Sequence, residues 1–114
     1  MALPAQTTPR EEIAQATARA VVATSGVVAL RAPRGSVHVT EVAGRRIEGV
    51  SVVTAGQGRY DVTVQVVALP VPLYALADTI RAQVRGFAAE AGLEGSVADI
   101  DVLVDDVLET GAHA

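Results

Sequence analysis

Arg59-Tyr60-Asp61-Val62-Thr63-Val64-Gln65-Val66-Val67-Ala68-Leu69-Pro70-Val71-Pro72-Leu73 is the stretch that decides the fold, because the hydrophobic period changes inside it. Val62, Val64, Val66 and Ala68 alternate with Asp61, Thr63 and Gln65, the pattern of a half-buried strand built from β-branched residues. Pro70 and Pro72 then stop the ladder, since proline has no amide donor, yet its fixed φ suits the start of a helix. From Leu73 onward, Leu73, Leu76, Ile80, Val84, Phe87 and Ala91 recur at helical spacing, and Gly92 is placed to close that helix. A strand followed by a helix that must fold back on it is the centre of a two-layer domain.

Working outward, Thr8-Pro9-Arg10-Glu11 reads as a capping box with proline in the first turn, opening a helix to about Thr24. Its buried face is expected to be Ile13, Ala16, Thr17, Ala20 and Val21, with Gly26 as the terminating cap. Val27–Arg31 reads as a short strand, broken by Ala32-Pro33-Arg34-Gly35. Val37–Val42 alternates and fits either a further strand or an extended arm. Ala43-Gly44-Arg45-Arg46 reads as a turn, and Ile47–Thr54 as one strand with Val50 and Val52 on a shared face. Ala55-Gly56-Gln57-Gly58 is a hairpin loop that makes this strand antiparallel to the one starting at Arg59. After the second helix, Ile100, Val102 and Val104 alternate with Asp99, Asp101, Leu103 and Asp105, a final strand reached by a crossover and so parallel to the central one. The expected fold is α+β, two-layer, a small mixed β-sheet in the order α-β-β-β-α-β with two helices on one face. Residues 8–108 form the single domain, with flexible tails at 1–7 and 109–114.

The 114 residues are half apolar, enough for a core that is mostly Val and Ala. The absence of cysteine excludes disulfides, thiolate zinc sites and cysteine nucleophiles. A formal charge of −4 argues against nucleic acid bound along the whole surface. Met1–Gln6 does not read as a secretory signal, and the longest uncharged run, Val62 to Ala77, is divided by two prolines and short of a membrane span. Membrane association is therefore expected only through a partner, without direct insertion.

Five groupings of residues carry chemical interest. Asp99, Asp101, Asp105 and Asp106 give the last strand an acidic face, which suits a hard cation but equally a solvated, aggregation-blocking edge. Arg31, Arg34, Arg45 and Arg46 flank the Pro-Gly loop and the next turn, a candidate phosphate or RNA patch against the simpler reading of surface solubility. Asp78, Arg81 and Arg85 are expected on the exposed face of the second helix, read first as an ordinary solvated face and otherwise as one where a partner's carboxylates relieve the two arginines. Thr63 and Gln65, with Val53, Val67 and Leu103, lie on the sheet face away from the helices, a surface open to a partner. His38 and His113 are the only histidines, and no Ser-His-Asp spacing surrounds Ser25, Ser36, Ser51 or Ser96. No catalytic residue, cofactor or metal is assigned; the interaction surface is assigned to Arg45, Arg46, Asp78, Arg81, Arg85, Thr63 and Gln65.

Several of these segments resemble one family in order. Ser25-Gly26-Val27-Val28-Ala29-Leu30 is similar to its helix exit, although the family often has proline where Ser25 stands. Gly44-Arg45-Arg46-Ile47-Glu48-Gly49-Val50 resembles its Gly-Arg-Arg-Val-x-Gly-Val turn, and the Tyr60–Ala68 strand, Val71-Pro72-Leu73 and Val102–Val107 follow in sequence. This is the alkaline shock protein family, the envelope stress response proteins of Gram-positive bacteria, in its actinobacterial form. The resemblance implies a non-enzymatic, cytoplasmic protein that self-associates or is held at the membrane by an anchored partner. The alternative is a small RNA- or phosphate-binding module using Arg31, Arg34, Arg45 and Arg46, and a third reading is a metal-dependent enzyme on the acidic face.

Overall fold

The central alternation becomes strand β5 (Arg59–Ala68), and every other strand of the main sheet pairs with it. The computed structural model describes residues 7–109; of the expected tails, residues 1–6 and 110–114, His113 included, lie outside the described residues. Helix α1 (Pro9–Val22) precedes β1 (Val27–Leu30), β2 (Val39–Val42), β3 (Arg45–Glu48) and β4 (Val50–Gly56). After β5 come α2 (Leu73–Glu90), a 3₁₀ turn at Glu94–Ser96 and β6 (Val97–Val107). The fold is α+β with two helices and six strands in two sheets, and its element order follows the sequence reading with one hairpin added.

One edge of β5 is shared end to end by β4, paired from Val50↔Val64 to Gly56↔Arg59, and by β1, paired from Val27↔Ala68 to Leu30↔Val66, both antiparallel. The other edge carries β6 in parallel, from Tyr60↔Val97 to Ala68↔Val107, as the crossover requires. Val50, Val52, Val62, Val64 and Val66 are fully buried and meet Ile13, Ala20, Val21, Leu76, Ile80, Val84 and Ala88 from the two helices. Burying such surface at roughly 25 cal/mol per Å² is what drives the two layers together.

Gly49 resolves what the sequence left as a single strand. Its N–H donates to His38 O (2.8 Å) while its C=O accepts from Gln65 N–H (2.8 Å), and Arg31 N–H donates to Gln65 O (2.9 Å). The residue is the junction where β1 ends, β4 begins and the β2–β3 hairpin leaves the sheet. It has φ +83°, and a Cβ there would lie 2.7 Å from both Arg31 N and Gln65 O, so only glycine fits. The expected Ile47–Thr54 strand is therefore two strands in two sheets. Val37–Val42 settles as a strand, β2, from Val39, and the expected four-residue turn shrinks to Ala43-Gly44, with Arg45 and Arg46 already in β3. Ala43 adopts a φ of +52°, a left-handed conformation that costs a non-glycine residue about 1 kcal/mol.

The capping box of α1 forms as read: Thr8 Oγ1 accepts from Glu11 N–H at 3.2 Å, and Thr8 N–H donates to Glu11 Oε1 at 3.1 Å. The backbone hydrogen bond from Thr8, then the one from its side chain, holds the Glu11 carboxyl below its ordinary pKa. The helix ends at Val22, sooner than expected, and Gly26 lies beyond its cap, entering β1. On α2 the buried row is Leu76, Ile80, Val84 and Ala88. Leu73, assigned to that row from the sequence, is 39% exposed, Phe87 is half-buried and Ala91 is the exposed C-cap.

Candidate interaction surface

With both helices on one side, the opposite face of the sheet is built from the alternate residues of three strands. Ser51, Thr63 and Asp101 stand in one row, and Gln65 and Leu103 in the next. A connected polar strap crosses one end of it. Ser36 Oγ donates to Gln65 Oε1 (3.1 Å), Gln65 Nε2 donates to Asp105 Oδ1 (3.1 Å), and Arg31 Nε lies 3.3 Å from Asp105 Oδ2. Arg31 also faces Asp106 at 3.9 Å. Ser36 Oγ accepts from His38 N–H (3.1 Å), and the His38 Nδ1 is 3.1 Å from Ser51 Oγ. Gln65, assigned to the open surface, is thus committed within the chain, while Thr63 stays half-buried beside the exposed Val53 (57%) and Leu103 (42%). The Ser51–His38 contact was not legible in the sequence, because the two residues lie on segments brought together only through the hairpin. The pair lies on the open sheet and lines neither of the two grooves described below for the α1 and α2 surfaces.

The two outer edges of the sheet differ. On the β4 side, Thr40 Oγ1 donates to Val50 O (2.7 Å) and Arg10 Nε donates to Val52 O (2.8 Å). On the β6 side, Arg59 and Arg85 donate to Val97 O, Arg85 Nη2 to Ala98 O (2.7 Å), and Arg81 Nε to Ile100 O (2.9 Å). Arg81 and Arg85, expected on a solvated face or against a partner's carboxylates, instead reach main-chain carbonyls of β6, and Asp78 Oδ1 accepts from Arg81 Nη1 at 3.1 Å. The two arginines therefore fasten α2 to the start of β6. Past Ile100, β6 has β5 as its sole partner strand, and among the described residues no side chain caps its carbonyls. Leu103, Val107 (37%) and Leu108 (47%) are exposed along this stretch between Asp101, Asp105 and Asp106.

The four-arginine patch does not assemble as one surface. Arg31 turns to Asp105 and Asp106, Arg34 is exposed in its loop, and Arg45 and Arg46 join Arg19 along a groove between α1 and the β2–β3 hairpin. A second, shallower groove lies between Ser25–Gly26 and the start of α2. Of the acidic residues, Asp105 and Asp106 face Arg31, and Asp61 Oδ1 accepts from Asp99 N–H at 3.1 Å. Among the described residues no three His, Asp or Glu side chains converge as a metal site would need, and no helix is long and apolar enough to cross a membrane.

No family model matches the chain, and neither a curated protein nor a solved structure matches it significantly.

Proposed function

We propose that this protein is a non-enzymatic interaction module of the alkaline shock protein type, acting in the envelope stress response through association with itself or with a membrane-anchored partner. The observation that carries this reading is the unpaired second half of β6. An extended strand can add to such an edge, main-chain hydrogen bonds supplying affinity and alternate side chains supplying specificity. Leu103 and Val107 offer apolar contact there, and Asp101, which has no ion-pair partner among the described residues, favours a basic residue on the partner strand. Two copies meeting antiparallel at this edge would bring acids opposite acids, so the edge suits a foreign strand better, and self-association would use the sheet face around Val53 and Thr63. The order of segments from Ser25 to Val107 that resembles the family supports the cellular role.

Co-sedimentation of the full chain with membranes from a Gram-positive cell, together with sedimentation velocity over a range of concentrations, tests this. Wild type should associate, and a D101K/L103K double variant, altered at two exposed positions, should fold normally yet stay free. A monomer at every concentration that never pellets with membranes counts against the reading, as does association that the double variant leaves unchanged.

A further inference from the structure

Six of the nine arginines are engaged by the fold. Arg10 reaches Val52 O, Arg59 and Arg85 reach Val97 O, Arg81 reaches Ile100 O, Arg31 meets Asp105, and Arg46 meets Glu48 at 3.6 Å. Arg19, Arg34 and Arg45 make no side-chain hydrogen bond or ion pair among the described residues. Two of these three, Arg19 and Arg45, line the same groove, and Arg46 lines it with them. The helix dipole accounts for one cation in the last turn of α1, where Arg19 sits, but not for two more brought beside it by the hairpin. Arg46 has its counter-charge in Glu48, so in a chain of net charge −4 the groove brings together two cations, Arg19 and Arg45, that have none among the described residues.

The shape of the groove narrows the ligand. Its volume is about 350 Å³, the small end of ligand sites, with Ala18, Val42 and Ile47 as an apolar floor and the Gln15 amide at one side. Planar guanidinium forks match the oxygens of phosphate, singly or two at a time. No aromatic ring lines the groove as a stacking platform for a nucleobase. We propose that the groove between α1 and the β2–β3 hairpin binds a phosphate monoester with a small aliphatic body, either as a free metabolite or as the headgroup of an anionic lipid. The site is separate from the β6 edge, so its success or failure is read independently of the docking role.

Glycerol phosphate titrated into the full chain, followed by amide chemical shifts, tests the free form. Flotation with phosphatidylcholine vesicles, with and without phosphatidic acid, tests the lipid form. Saturable shifts are expected at Gln15, Ala18 and Ile47, weakening as salt rises. Arg19→Gln and Arg45→Gln should each weaken binding about tenfold, whereas Arg34→Gln, which removes the same charge outside the groove, should not. All three side chains are exposed, so none of these changes should unfold the chain. Saturation by glycerol phosphate, or flotation that requires phosphatidic acid, supports the site and tells its two sources apart. The absence of both, an equal loss in Arg34→Gln, or binding of an RNA oligomer with no response to glycerol phosphate would overturn it.

Discussion

Along the β4 edge the carbonyls of Val50 and Val52 are taken by Thr40 and Arg10, whereas along β6 the arginine caps stop at Ile100. The two edges flank the same central strand, and on each the caps cover only the beginning: the hairpin and α1 cap β4 through Val52, leaving the exposed Val53–Gly56, while β6 is left without caps among the described residues over the longer run Asp101–Val107. The β4 defence depends on Gly49, which lets the chain leave the sheet and lay β2 across the outside of β4. On β6 the defence comes from α2, whose Arg81 and Arg85 reach only the beginning of the strand. An unsatisfied strand edge is a liability in a monomer and an asset in a docking protein, and the proposed docking role rests on the longer uncapped run, that of β6.

The comparison can be broken most severely at Gly49. Gly49→Ala places a methyl group against two backbone atoms at a left-handed φ, and chemical denaturation should register a loss of about 3 kcal/mol or more. Retained stability would mean that the junction is not the constraint described. Next, Thr40→Val keeps the buried shape but strips the hydrogen bond to Val50 O, leaving that carbonyl unpaired on the defended edge. The expected cost is about 1–2 kcal/mol in the same assay. On the open side, Arg81→Ala combined with Arg85→Ala uncaps the Ala98 and Ile100 carbonyls, while Arg59 still holds Val97 O. We expect a loss of about 1 kcal/mol, smaller because Arg85 is exposed and Arg81 half-buried, so that water can replace their hydrogen bonds. The smallest effect is a pH dependence at the foot of α1. Because the folded Glu11 pKa lies below its unfolded value, its contribution is complete above about pH 4.3 and is lost as pH falls through the lower folded pKa. Thr8→Ala should flatten that acid limb in a series of thermal melts.

The chain's periodicities made most of this architecture legible. The alternation in Arg59–Ala68, the proline break and the helical spacing after Leu73 are local signals, and each maps to an element at nearly its expected position. The division of Ile47–Thr54 left only a faint local sign, Ile47 being out of phase with Val50 and Val52 across Gly49, and the approach of Arg31 and Gln65 shows why the chain must part there. The surface was harder still. Arg81 and Arg85 look like free charges on a helix until β6 supplies carbonyls for them, and Arg31 looks like a neighbour of Arg45 until Asp105 draws it onto the sheet. Arg19 entered no sequence reading of a basic patch, since its companions lie more than twenty residues away and reach it through the hairpin.

The claim that the second half of β6 is the docking edge is tested most directly by residue-resolved amide hydrogen exchange on the full chain, free and in the presence of the membranes it associates with. The account predicts that amides between Asp101 and Val107 slow on association while those of β4 do not change. Slowing confined to β4, or association that leaves β6 exchanging as it does in the free protein, would contradict it.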